Sequence, residues 1–340
     1  MEQGILNLET LWFVLIAVLW IGFFFLEGFD FGVGILLPFI GKDDEDRRVM
    51  INTIGPTWDG NEVWLLTAGG AMFAAFPEWY ATMFSGFFLA FFLLLVALII
   101  RGIAFEYRSK NPTSQWRTMW DSAIFIGSAV PALLFGVAFG NLVRGMEIDA
   151  AGEYVGGFWA LLNPYSLMMG VASFVLFTLH GALFLSMKAK GDVHDRAVEV
   201  AKPLSIAATA VMAIAMIWSY FQTDSGTIPG LLPLLAIGLL GVVIWLVYSK
   251  LLAWAFAFTG LTIVATVAAI FVGMYPNVMT STIDPAYSLT VFNASSTTMT
   301  LQIMSVVALI FVPIVLGYQT WSYWVFRKRV GREDVTSSVY

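Results

Sequence analysis

The sequence predicts an all-α polytopic membrane protein, and three observations carry that prediction. The 340 residues are 59% hydrophobic and 12% charged, against about 25% charged in soluble domains, and the mean hydropathy is +0.82. Nine apolar stretches of about 20 residues, the length that crosses a hydrocarbon layer as a helix, lie near 10–40, 59–76, 79–104, 118–142, 164–188, 200–222, 230–250, 252–276 and 299–326. With the N-terminus outside, sixteen of the seventeen Lys and Arg residues fall on or near the inner side and only Arg144 is left outside. A missed helix would scramble that asymmetry, so it supports nine transmembrane helices in an N-out/C-in arrangement.

The first stretch is long enough to project beyond the hydrocarbon or to bend. Its flank, MEQGILNLE, is acidic and has no positively charged leader, so no cleavable signal peptide is expected. Residues 26–34 read LEGFDFGVG and set Glu27 and Asp30 within one helical turn of each other. A carboxylate at mid-bilayer costs roughly 2.5 to 3.5 kcal/mol on insertion scales, which makes each a functional candidate by default. Gly28 and Gly32 form a small-xxx-small pattern that lets a second helix approach closely. At about 100° per residue, Asp30 lies about 60° from Glu27 and roughly opposite the glycine edge, so this helix is expected to contact protein on both sides.

The connection 41–57 mixes acidic and basic residues and reads as a loop. The second stretch follows in PTWDGNEVWLLTAGGAMFAAFPEW, residues 56–79. Asp59 suits an N-cap or first-turn acid; Glu62 follows one turn later and Trp64 stands deeper, beside the acids. With N-out topology, Glu27 and Asp30 lie in the inner half of the first helix, so all four acids can converge on the inner half of one bundle. Arg101, Glu106 and Asp121, at the inner ends of the third and fourth helices, either complete a charged network there or snorkel to the interface, the latter being the plainer reading. Carboxylates in series are what a proton relay needs, since intervening water can pass protons between them.

After the outer loop 143–163, the fifth stretch carries His180 in mid-membrane. It suits a haem ligand, a proton carrier or, most simply, a buried hydrogen-bonding residue. His194 lies in KGDVHDR on the inner side and is expected to be solvated. The next three stretches are read as spans from their apolar length, and the outer loop 277–298 leads to the last. Most tryptophans sit near span borders as an interfacial belt. FLEGFDF at 25–31 and TLHGALF at 178–184 each put a polar residue between Leu and Gly, an echo that fits a four-plus-four duplication with a ninth helix added. The whole chain, 1–340, reads as one integral membrane domain: helices 1–4 over about 10–142, helices 5–8 over about 164–276 and helix 9 over about 299–326.

Composition also excludes. The chain has no cysteine, so disulfides, thiolate metal sites and thiol nucleophiles are ruled out. Two histidines, one of them outside the membrane, cannot supply a bis-histidine haem, and no metal site or catalytic residue is expected in this chain alone. The net charge of −6 is spread over both sides and singles out no partner; nucleic acid is not one.

EGFDFGVG, NTIGPTWDGNEVWLLTAGGAMFAAFP, FSGFF, FEYRSK, WRTMWDSAIFIGSAVPALLFGVAFGN and NASSTTMTLQIMSVVALIFVPIVLGYQTWSYWVF together resemble subunit II of the cytochrome bd type quinol oxidase. The resemblance covers essentially the whole chain, with WDGNEVWL and FEYRSK the most specific blocks. It implies a terminal respiratory oxidase of the bacterial plasma (inner) membrane that oxidises quinol and reduces oxygen to water. It places the b-type haems and haem d in subunit I, makes this chain the haem-free partner, and implies two four-helix bundles plus one peripheral helix packed against subunit I about a pseudo-twofold axis. Asp59 then stands where a cytoplasmic proton route is proposed to start, Asp30 at the other recurrent acid, and Trp64 near an oxygen-access channel. Glu27 takes a place where the family often has Asp. Glu27, Asp30, Asp59 and Glu62 make up the implied proton pathway. Segment 223–229 is brief beside longer forms, which weakens any lipid or quinone contact there; a structural quinone and small accessory subunits are left open. The rival readings are a proton-coupled secondary transporter and a purely structural partner.

Overall fold

The computed structural model describes residues 7–222 and 231–335; segment 223–229 lies outside the described residues. The long helices are α1 (Leu8–Ile40), α3 (Trp58–Ala75), α5 (Phe88–Tyr107), α6 (Ser114–Arg144), α8 (Pro164–Lys188), α9 (Gly191–Gln222), α10 (Leu231–Tyr248), α11 (Leu252–Met274) and α12 (Thr298–Val325). Shorter ones are α2 (Asp44–Ile54), α4 (Pro77–Gly86), α7 (Gly157–Ala160) and α13 (Arg332–Val335). Among the described residues, eight helices are long and apolar enough to cross a membrane; α3 is not one of them, because Asp59, Asn61 and Glu62 dilute its apolar character.

Local chemistry sets several helix starts. Asn7 caps α1, Asp43 caps α2, Asn163 caps α8 ahead of Pro164, and Thr297 caps α12, each side chain accepting a backbone N–H three residues on. At 33 residues and 1.5 Å per residue, α1 runs about 50 Å, well over the roughly 30 Å of a hydrocarbon core. The chain departs from the sequence reading at three places. The 41–57 connection folds into α2. The 79–104 stretch is two helices interrupted at Phe87, where the Tyr154 ring from the 145–163 connection lies against the backbone of Gly86. Helix α9 begins at Gly191 rather than near 200, so His194 is half-buried on a helix, within 2.6 Å of the Ser186 carbonyl oxygen.

Helices α1, α6, α8 and α11 form the centre, with α3 and α5 packed on one side of it and α9 and α10 on the other. Close crossings are made at glycines: Gly32 of α1 lies against the backbone of Gly181 of α8, and Gly136 of α6 lies against Gly170 of α8. A side chain at either would separate the backbones. Around these crossings aromatic rings fill the core, with Phe23 to Phe135 at 5.1 Å and Trp20 to Phe139 at 5.2 Å between centroids. At the far end, where α1 begins, the two connections pack together: β1 (Asn277–Met279) pairs antiparallel with β2 (Leu289–Thr290), and Met146 bridges Ser281.

Helix α12 is different. Its apolar surface is exposed along almost its whole length, and of its residues only Leu301 is buried. It is held by polar contacts and by its ends. Trp12 donates to the Leu301 carbonyl at 3.2 Å. At the basic end, where α1 finishes, the segment after α12 straps the bundle: Val330 pairs in parallel with Ala189, and Arg332 reaches Asp43 at 2.6 Å and Asp46 at 2.7 Å. The Asp46 amide, followed by Arg332, holds the Asp43 carboxyl below its usual range.

Candidate functional site

On the face of α1 turned away from α8, two acids are sealed from solvent. Glu27 and Asp30 are both 0% exposed. Arg101 of α5, also 0% exposed, donates through Nη1 to Glu27 Oε1 and has its guanidinium 4.8 Å from the Phe31 ring centre and 5.5 Å from that of Phe105. Glu62 Oε2 of α3 lies 3.9 Å from the same Nη1. One guanidinium thus faces three carboxyl groups in an apolar wall, and Glu27 Oε2, Asp30 Oδ1 and Arg101 Nε and Nη2 have no protein hydrogen-bond partner. A packed core ordinarily satisfies such groups. A cluster with more acid than base and with spare donor and acceptor positions has the composition of a proton-exchanging site.

Asp30 Oδ2 accepts from Asn61 Nδ2 at 2.7 Å. Asn61 is itself fully buried, and its Oδ1 accepts from Tyr323 Oη at 2.8 Å and from Gln319 Nε2 at 3.2 Å, both on α12. Gln319 Oε1 in turn accepts from Trp64 Nε1 at 2.8 Å. Trp64 is half-buried, its ring lying over Gly22 of α1. Asn61, Gln319 and Tyr323 were not singled out by the sequence reading. A signal existed, since Gln319 and Tyr323 stand four apart on one face of α12, and Asn61 and Trp64 three apart on one face of α3.

Other candidates are placed elsewhere. Asp59 is exposed in the first turn of α3 and does not cap it; Thr57 occupies the N-cap position and makes no side-chain cap bond. Three of the four acids therefore gather and Asp59 stays outside. Arg101 and Asp121 do not share a network, and neither snorkels. Asp121 is 5% exposed and accepts from Arg108 Nε at 2.5 Å and Arg47 Nη1 at 2.7 Å, while Asp44 joins Arg108 at 3.0 Å and Arg117 at 2.6 Å. Glu106 is exposed. Helix direction explains the split: Arg101 lies on the α1-facing side of α5, nearly two turns before Arg108. Gly28 lies under the Phe177 ring and Gly32 on the Gly181 backbone.

His180 is fully buried, with Nδ1 3.1 Å from Thr259 Oγ1, Nε2 3.2 Å from the Phe25 carbonyl oxygen, and its ring stacked 4.4 Å from Phe256 at 3°. Both nitrogens are engaged, so the residue does not fit an axial haem ligand. Among the described residues no group of three His, Cys, Asp or Glu is placed to hold a metal ion.

At the basic end a cavity of about 490 Å³ opens between α2, α8, α12 and the C-terminal strap, lined by Thr53, Thr57, Lys188, Lys328, Arg329 and Tyr323 among others. Tyr323 forms part of its wall and bonds Asn61.

A sequence profile described as cytochrome bd terminal oxidase subunit II matches residues 8–326. The chain is 45% identical over 333 residues to cytochrome bd ubiquinol oxidase subunit 2 of Bacillus subtilis (strain 168), covering 96% of this chain and 98% of that one. It is 39% identical over 373 residues to cytochrome bd-I ubiquinol oxidase subunit 2 of Escherichia coli (strain K12), covering 98% of each. The structure of bd oxidase from Geobacillus thermodenitrificans superposes with a TM-score of 0.76 at 15% identity, over 94% of this chain and 97% of that one; at that identity the likeness concerns the fold. The profile match over nearly the full chain and the two relatives agree: this protein belongs to the cytochrome bd terminal oxidase subunit II family.

Proposed function

We propose that this chain, as subunit II of a cytochrome bd type quinol oxidase, supplies a proton route from the inner side of the membrane and borders an oxygen path to haems held by its partner. The observation that carries the reading is the sealed Glu27–Arg101–Asp30–Asn61 group, which holds more acid than base and has unspent acceptor positions. Asp59, exposed at the start of α3 one turn before Glu62, is the proposed outer acid of the route, and Trp64 the proposed border of the oxygen path. The b-type haems and haem d belong to subunit I in this reading, which agrees with two histidines and no cysteine in the chain and with the engaged ring nitrogens of His180. Counting α3 with the eight apolar helices makes nine spans, proposed as two four-helix bundles with α12 peripheral in one membrane domain, N-out/C-in, in a bacterial plasma membrane. The outward glycines Gly60, Gly69 and Gly70 of α3 have open space where a side chain would stand, which suits the close approach of a helix of subunit I. A structural quinone and accessory subunits remain part of the proposal.

A proton-coupled carrier would be expected to break its helices around the acids, whereas α1, α3 and α5 run unbroken through Glu27, Asp30, Glu62 and Arg101. The test is quinol-driven oxygen consumption per haem d across pH in the assembled complex. Asp59→Asn should leave assembly and haem content intact and lower turnover about a hundredfold or more, as loss of a proton-transfer group does; Asp59→Glu should recover part of it. A fully active, normally assembled Asp59→Asn enzyme removes Asp59 from the route.

A further inference from the structure

Helix α12 poses a question of energetics. It buries one residue, so apolar packing does not explain where it sits, yet it places Gln319 and Tyr323 one turn apart on the face turned to α3. Amide and phenol groups are costly in an apolar surround unless bonded, and both of these donate to the same atom, Asn61 Oδ1, at 3.2 and 2.8 Å. With Oδ1 taken by two donors, Asn61 presents its Nδ2 to Asp30 Oδ2 at 2.7 Å. Asp30 Oδ1 is left as the unpartnered oxygen of a fully buried carboxyl. Behind Tyr323 lies the basic-end cavity of about 490 Å³, room for many waters within one side chain of the acid cluster.

We propose that Gln319 and Tyr323 are positioning residues for proton transfer at Asp30, acting through Asn61, and that the cavity behind Tyr323 is the aqueous side from which this carboxyl is served. The proposal rests on the proton-route reading and adds to it an approach lying wholly within this chain, apart from exposed Asp59. Fixing Oδ2 on an amide donor leaves Oδ1 to take a proton from water and return it, with no group consumed. The charged and titratable groups around Asp30 are Glu27 of the same helix, Glu62 of α3, Arg101 of α5 and Tyr323 of α12. Those lining the cavity are Lys188 at the end of α8, Lys190 beyond it, and Lys328, Arg329 and Asp334 after α12. The same Gln319 bonds Trp64, so one side chain of the exposed helix ties the residue proposed for the oxygen path to the residue that holds the proton-transfer acid.

The experiment compares Tyr323→Phe, Gln319→Met and Asp30→Asn in the assembled oxidase, reading haem content, apparent KM for quinol, and turnover per haem d against pH. Tyr323→Phe keeps the ring and removes the hydroxyl. The expected result is normal haem content and quinol KM, turnover lowered about two- to tenfold, the factor corresponding to one ordinary hydrogen bond, and a displaced pH profile. Gln319→Met should act in the same direction. If both variants match the parent while Asp30→Asn is impaired, the positioning role is wrong and the proton route stands; if Asp30→Asn also matches the parent, both fall. Should the α12 variants fail to assemble, the aqueous side is still testable, because the chain has no cysteine. Thr53→Cys places a thiol on the cavity wall at a position only 2% exposed. Modification of this chain by a small water-soluble thiol reagent in the intact complex, followed by mass, supports an aqueous cavity; a thiol that stays unmodified overturns it.

Discussion

The Glu27–Gly28 step of α1 and the His180–Gly181 step of α8 each put a polar side chain beside a glycine at the same helix crossing, and their surroundings differ in charge. Glu27 faces Arg101, with Asp30 and Glu62 close by, and several of these groups keep unspent hydrogen-bonding positions. His180 has both nitrogens on neutral partners and its ring on Phe256. The second site is complete, as buried polar groups in a packed core ordinarily are. The first is left open. A buried ion pair is weak support for stability, since desolvation offsets much of the attraction, so the charged site is the one for which a chemical role is proposed, while the neutral one has the bonding of a packed core.

That contrast can be broken or sharpened at three strengths. The crossing common to both sites is the largest lever: Gly32→Leu forces a side chain into the backbone of Gly181 and is expected to abolish assembly of the complex. Undiminished yield and thermal midpoint would mean that the crossing tolerates separation. Next, Arg101→Leu leaves Glu27 sealed without its cation, a loss of about 3 to 5 kcal/mol. Adding Glu27→Leu should restore much of the assembly while turnover stays low. A double variant that assembled and turned over normally would make the charged site structural, like its neutral counterpart. The smallest effect is expected at Thr259→Val, which deprives His180 Nδ1 of its partner at about 1 to 2 kcal/mol, with turnover per haem d unchanged; a changed pH profile there would bring His180 into the proton chemistry.

Much of this was legible in order along the chain. Apolar length marked the eight helices that are long and apolar enough to cross a membrane among the described residues, and the 100° helical step put Asp30 opposite Gly28 and Gly32, the arrangement found with α3 on one side and α8 on the other. What was not legible depends on contacts between distant segments. Asn61 looks like a helix-start residue until Gln319 and Tyr323 arrive from α12. Arg101 reads as a snorkelling cation because sequence alone does not say that α5 turns it toward Glu27 rather than toward water. Asp59 reads as a cap or a first-turn acid, and the second holds: the cap position falls two residues earlier, at Thr57, where the preceding turn ends. At the break at Phe87 the Tyr154 ring reaches Gly86 from another connection, a contact that no local pattern announces.

The strap and contacts of α12 also fix a timetable. Synthesis delivers the N-terminal helices first, and Asn61 must wait 262 residues for Tyr323, while Asp43 waits 289 for Arg332. Until the last helix is inserted, the acid cluster is assembled from α1, α3 and α5 but lacks the two donors to Asn61, and the basic-end cavity has no wall on that side. A nascent or truncated chain therefore presents an unfinished acid site, and completion of the final helix is the step at which the subunit's buried carboxyls acquire their finished surroundings.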